Sequence, residues 1–133
     1  MELILIRGLP GSGKSSLARR LIDGNSEHLE ADQYFMNEGI YEFDANKLRY
    51  AHEWCKDKTQ YFLRLDKRVI VSNTFSTSKE LKPYFLIAKD FGIVPTVLHC
   101  QNSFGSIHNV PEETILKMKG RWCTNLNDLF ALL

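Results

Sequence analysis

Cysteine is scarce in this chain. Cys55, Cys100 and Cys123 are odd in number, and no two are spaced as C-x-x-C. That argues against a disulfide framework or a zinc ribbon and for reduced thiols, so a cytoplasmic setting is expected. No apolar run approaches the roughly 20 residues of a membrane span, and no role in a membrane is expected. The first residues lack the pattern of a secretory leader, since an apolar strand begins at once. Neither sign of charge dominates: 17 Lys and Arg stand against 16 Asp and Glu. Bulk charge therefore selects no partner. Repeats, low-complexity stretches and linkers are also missing, and 133 residues fit one domain, 1–133.

What is present begins at Gly8. Gly8-Leu9-Pro10-Gly11-Ser12-Gly13-Lys14-Ser15 fits the phosphate-binding pattern G-x-x-x-x-G-K-[ST]. Leu3-Ile4-Leu5-Ile6 precedes it as a strand, and Ser16-Leu17-Ala18-Arg19-Arg20-Leu21 follows as a helix. Glycines let the backbone curl so that N–H groups point inward at phosphates. The helix N-terminus adds its positive dipole end. Leu9, Pro10, Gly11, Ser12, Gly13, Lys14, Ser15 and Ser16 are thus expected to bind a nucleoside triphosphate. Lys14 would reach the β- and γ-phosphates, and the Ser15 hydroxyl would reach Mg²⁺.

Strand and helix patterns alternate along the chain. Strands are predicted at 2–7, 27–31, 68–72 and 94–99, and helices at 14–22, 44–65, 77–92 and from Pro111 onward. Asn37 to Phe43 reads as loop. Thr77 and Glu80 form a capping-box pattern, and Pro83 should bend that helix or shift its start. Ile115, Met118 and Trp122 form the predicted buried stripe of the last helix. The apolar tail from Asn125 to Leu133 is expected to pack on its own domain. The pattern implies a three-layer α/β/α P-loop fold of nucleoside-kinase type, with a mostly parallel sheet of four or five strands.

In such sheets ligands sit at the carboxyl ends of the strands. Asp32 follows the second strand, expected beside the P-loop strand, and is the candidate to orient an acceptor hydroxyl and take its proton. Asn73, followed by Thr74, stands where an aspartate often ends the neighbouring strand and helps hold Mg²⁺. Here either touches substrate or metal-bound water, or ties down a loop. Residues 101–110 sit where a lid would close but contain no Arg or Lys, so Lys117 or Arg121 would have to bring charge to the phosphates. His108 in that stretch contacts substrate or caps the next helix. His28, His52 and His99 read as structural. The basic residues between 47 and 68 suit either a polyanion or an ordinary solvated helix surface.

Taken together, the motif and Ala31-Asp32-Gln33-Tyr34-Phe35, Ala51-His52-Glu53-Trp54, Asn73-Thr74, Lys82-Pro83-Tyr84 and His108-Asn109-Val110-Pro111-Glu112-Glu113 resemble a known group. It is the zeta-toxin-like, polynucleotide-kinase-like P-loop ATPases of bacteria and phages, including the kinase domain of bacteriophage polynucleotide kinase. The resemblance covers about residues 2–122. It implies ATP with Mg²⁺ and transfer of the γ-phosphate to a hydroxyl, in those kinases a nucleic-acid 5′ end. Asp32 matches their general base. Phe35 stands where they carry an arginine for the acceptor phosphate, and Gln101 and Gly105 stand in a lid where they carry arginines. Two readings follow: a kinase acting on a polynucleotide 5′-hydroxyl, a nucleotide or another small molecule, or an ATP-binding switch module without transfer.

Overall fold

The computed structural model describes residues 1–101 and 110–133. Strand β1 (Glu2–Gly8) is buried from Leu3 onward, because it has a neighbour on either edge and helices above and below. Parallel β5 (Arg68–Asn73) pairs with it from Glu2↔Arg68 to Arg7↔Asn73. Parallel β6 (Thr96–Cys100) pairs along the other edge, from Ile4↔Thr96 to Gly8↔Cys100. Strand β2 (Ser26–Leu29) joins the outer edge of β5, so the order is β2–β5–β1–β6. A separate ribbon pairs β3 (Met36–Asn37) with β4 (Ile40–Tyr41) around Glu38-Gly39. The segment expected to be a loop is thus a short hairpin, made possible by positive φ at both turn residues.

The strand order corrects the expected place of Asp32. The second strand does not lie beside the P-loop strand; β5 lies between them. The reason is polarity. Val69-Ile70-Val71 is fully buried and needs cover on all sides, whereas Ser26-Glu27-His28 is half-buried and tolerates an edge. The second strand also ends at Leu29, and Asp32 stands in a 3₁₀ turn (Ala31–Phe35).

Side chains alternate across the sheet. Leu3, Leu5, Val69 and Val71 face the main core, with residues of α2 (Leu48–Arg64), α3 (Ser78–Asp90) and α5 (Asn127–Phe130). Ile4, Ile6 and Ile70 face the other way and pack on Ala18 of α1 (Lys14–Leu21). These are the three layers expected, with a sheet of four strands. The tail packs on this domain as expected: Leu129 joins the main core, and the Phe130 ring meets Phe85 edge-on at 5.0 Å. Thr77 and Glu80 cap each other reciprocally, so α3 starts where the pattern put it and its start is not shifted by Pro83. Helix α4 (Glu112–Gly120) departs from expectation. It has no fully buried residue, and Ile115, Met118 and Trp122 are only half-buried.

The basic stretch is partly paired and lies on a solvated surface. Lys56 pairs with Glu53 at 2.6 Å, Lys67 with Glu27 at 2.8 Å and Arg68 with Glu2 at 2.6 Å, while Arg49 and Lys58 lie over Tyr50 and Tyr61. This favours the solvated-surface reading. No helix among the described residues is long and apolar enough to cross a membrane.

One buried cation shapes the end of β1. Arg7 is 2% exposed and donates through Nε and Nη2 to the Phe75 carbonyl at 3.1 and 2.8 Å. A third bond reaches the Ser76 carbonyl at 3.3 Å, and the Trp122 ring lies 4.1 Å from the guanidinium carbon. Burial lowers the Arg7 pKa, with Cys123 and Glu80 opposing. Phe75 itself has φ of +50°, so the guanidinium holds a strained turn after β5. Arg7→Met is expected to cost at least about 2 kcal/mol, since it leaves buried carbonyls without donors. Leu116→Ala, on the exposed face of α4, should stay within about 0.5 kcal/mol. Urea unfolding of the two variants checks both values.

Candidate functional site

The carboxyl ends of β1, β2 and β5 meet around the loop from Leu9 to Gly13. Gly11 and Gly13 have φ of 81° and 92°, a region L side chains rarely enter, and they turn the chain over the start of α1. Ser12 N–H donates to the Leu9 carbonyl and Leu17 N–H to the Gly13 carbonyl, each at 3.0 Å. Gly13 is the N-cap of α1 and brings no side-chain acceptor, and no acidic residue lies in the first turn. The N–H groups of the first turn therefore have no partner within the helix. Ser12 Oγ is buried and has no hydrogen-bond partner among the described residues. A Cβ on Gly8 would strike that oxygen and would lie 2.9 Å from the Cys100 carbonyl. The result is a tight cradle of donors without acceptors, which fits the oxygens of a polyphosphate.

Lys14 Nζ donates to the Leu9 carbonyl at 3.2 Å, across the cradle. Burial is the largest influence on it and lowers its pKa; the carboxylates of Glu30 and Asp32 pull the other way.

Ser15 Oγ donates to Glu30 Oε1. The same oxygen accepts from Ser72 Oγ at 2.8 Å. His28 Nε2 lies 2.7 Å from Ser72 Oγ and 3.4 Å from Glu30 Oε1. Burial alone would raise the Glu30 pKa, but the bonds from His28, Ser15 and Ser72 outweigh it and hold the pKa at about 2. Glu30 is thus a carboxylate at the heart of the site that the motif reading passed over. The available signal was a strand-end acid two residues before Asp32, opposite a strand ending in neutral Ser72-Asn73.

Asp32 Oδ1 accepts from the Tyr41 hydroxyl at 3.3 Å. Burial and the Asp32 charge push the Tyr41 pKa up to about 12. Around Asp32 runs a chain of rings. Phe35 meets Tyr34, Tyr41 and Phe43 at centroid distances of 5.6, 6.3 and 5.2 Å, and Tyr34 meets Trp54 at 6.3 Å. Asn73 Oδ1 accepts from Ala31 N–H at 2.9 Å, and its amide donates to Cys55 Sγ at 3.8 Å. Its side chain thus ties β5 to the 3₁₀ turn, as the loop-tying alternative expected. Thr74 contributes a carbonyl to Gly8 N–H at 3.2 Å.

On the far side of the loop, a cleft of about 310 Å³ is lined by Leu9, Ser12, His99, Cys100, Lys119 and Trp122, with Gln101 at its rim. Lys119 is the α4 cation that reaches it; Arg121 is exposed beyond the helix and does not line it. His108 and positions 102–109 of the expected lid lie outside the described residues. A wider depression of about 480 Å³ lies at the amino edge of the sheet, far from the loop, where Arg68 is already paired with Glu2. Among the described residues no three His, Cys, Asp or Glu side chains converge as metal ligands. A divalent ion would rest on a hydroxyl, one carboxylate, phosphate oxygens and water, which suits Mg²⁺.

Comparison with known proteins agrees with this geometry. Residues 3–107 match the family model AAA_33, described as an AAA domain. Over 92 residues the chain is 41% identical to human (Homo sapiens) NEDD4-binding protein 2, covering 67% of this chain and 5% of that protein. The chain therefore spans only a small part of that relative. Among solved structures it superposes on a chain of the Pnkp1/Rnl/Hen1 complex with a TM-score of 0.62 at 21% identity, covering 87% of this chain and 38% of that one. It also superposes on an APS kinase of Mycobacterium tuberculosis with a TM-score of 0.54 at 16% identity, covering 90% and 95%. These likenesses show the fold alone, a mostly parallel sheet flanked by helices.

The cradle gives a direct test of packing. Gly8→Ala is expected to cost roughly 1–3 kcal/mol, because the Cys100 backbone cannot retreat from the added methyl group. Gly120→Ala, with nothing within 4 Å of the new atom, should cost nothing measurable. Thermal melts of the two variants separate a crowded loop from a general intolerance of alanine.

Proposed function

The chain belongs to the AAA domain family AAA_33, and from that premise we propose that it binds ATP with Mg²⁺ and transfers the γ-phosphate to a hydroxyl acceptor. The observation that carries the reading is the cradle: donors at the start of α1 and at Ser12 with no acceptor of their own, beside Lys14. Triphosphate oxygens supply those acceptors. Lys14 neutralises charge on the transferring group, and the Ser15 hydroxyl would hold the metal. Bound Mg²⁺ would supply Lewis-acid charge to the phosphate oxygens. Asp32 orients the acceptor hydroxyl and takes its proton.

Two features bear on the acceptor. Phe35 is 4% exposed and belongs to the core, so this position offers no cation to an acceptor phosphate. The half-exposed rings of Tyr34 and Phe43 instead give an acceptor a surface on which to stack, which favours a nucleoside or a nucleic-acid end. A chain of the Pnkp1/Rnl/Hen1 RNA repair complex shares this fold, which agrees with the same class. A reducing, cytoplasmic setting is part of this reading, and all three thiols are free.

The test is transfer of label from γ-labelled ATP, with Mg²⁺, to a 5′-hydroxyl oligonucleotide and to nucleosides. Lys14→Ala should abolish ATP binding. Asp32→Asn should keep ATP binding and lower transfer by at least about 100-fold. Unchanged transfer in Asp32→Asn would remove its role. ATP binding without transfer to any acceptor would leave the nucleotide-switch reading, and no ATP binding would end both.

A further inference from the structure

We propose that Glu30 supplies the carboxylate of the divalent-cation site, delivered from the end of β2 because β5 ends in the neutral pair Ser72-Asn73. The inference rests on the MgATP reading above and adds a residue to it. A hydroxyl at the start of α1 is a weak cation ligand by itself, and Mg²⁺ bound with nucleotide is usually met by one or two protein carboxylates as well. Strand β5, beside β1, does not supply one. Ser72 is neutral, and the Asn73 amide is committed at both ends, to Ala31 N–H and Cys55 Sγ.

The neighbouring strand fills the gap. Glu30 follows β2 directly, and its Oε1 receives both the Ser15 and the Ser72 hydroxyls. Ser15 donates its hydrogen bond to Glu30, which leaves the oxygen lone pairs of Ser15 for a cation. Ser72 thus stands in contact with the very carboxylate that replaces its own missing one. His28 braces the pair from behind, 2.7 Å from Ser72 Oγ. Asp32 is a poorer choice for the metal: it stands beyond Glu30 in the 3₁₀ turn and is bonded to Tyr41.

A purely structural Glu30 would only pin strand ends together. The two roles separate by moving the carboxylate. ATP affinity is measured by calorimetry on the full chain, once in EDTA and once with Mn²⁺, for wild type, Glu30→Gln and the double variant Glu30→Ser with Ser72→Asp. Wild type should gain affinity with the cation. Glu30→Gln, with one negative charge fewer beside the phosphates, should bind in EDTA at least as tightly as wild type and lose about 10- to 100-fold of the gain. The double variant, with the acid on β5, should recover most of it. Electron paramagnetic resonance of bound Mn²⁺ should follow the same order. A Glu30→Gln chain with the full wild-type gain overturns the proposal while leaving the ATP reading intact. So does a variant that loses affinity in EDTA together with its thermal stability, which marks a structural pin. Wild type without ATP affinity in either condition overturns the ATP reading itself and this proposal with it.

Discussion

Parallel pairing of β1 on both edges is the constraint from which the site follows. With β5 on one side and β6 on the other, every strand of the main sheet runs the same way. All four carboxyl ends therefore open on one edge, and whatever follows each strand is brought to the same place. The cradle after β1, the Ser72-Asn73 pair at the end of β5, Glu30 after β2 and the cleft beyond β6 are neighbours for that reason alone. They are distant in sequence, and no local propensity would bring them together.

Two charged side chains then tie these ends to one another. Arg7 reaches from β1 to the turn after β5, and its guanidinium is satisfied by carbonyls and the face of Trp122. Glu30 reaches from β2 to α1 and β5, and is satisfied by hydroxyls and His28. Neither is buried against a single opposite charge, whose desolvation would be hard to repay. Each is instead surrounded by fixed dipoles, which hold a loop in place without neutralising the edge. The carboxylate keeps its charge beside the donors at the start of α1, where a cation between it and a polyphosphate would be attracted by both.

How much of this was legible in the residues depends on the range of the signal. The cradle was legible because its pattern is local: strand, glycines, lysine and helix follow one another without interruption from Glu2 to Leu21. The capping box at Thr77 was legible for the same reason, and so were the layers, from alternating strand and helix. Strand order was legible in part. The unalternating Val69-Ile70-Val71 marks β5 as a central strand beside β1, whereas the edge place of β2, with β5 between it and β1, shows only in the structure. Glu30 was missed because its meaning is relational. One acid next to another reads as surface until Ser72, a neighbour 42 positions away, is known to end without one. Of the two effects expected of Pro83, a shifted start is not seen, since the capping box determines where α3 begins.

The substitution at Phe35 can be understood from the same packing. The position lies on the 3₁₀ turn that carries Asp32, with its ring buried among Tyr34, Tyr41 and Phe43. An arginine here would have to break out of this ring cluster or be buried without a carboxylate, at a cost of several kcal/mol. The aromatic residue instead cements the β3–β4 ribbon to the turn, and so holds Asp32 against the Tyr41 hydroxyl. Where the kinases that the chain resembles carry an arginine, Phe35 thus brings rigidity under the candidate base, with exposed rings at its flank. That arrangement suits an acceptor held by its flat faces more than one held by its phosphate charge, since stacking needs a firm platform whereas charge acts at a distance.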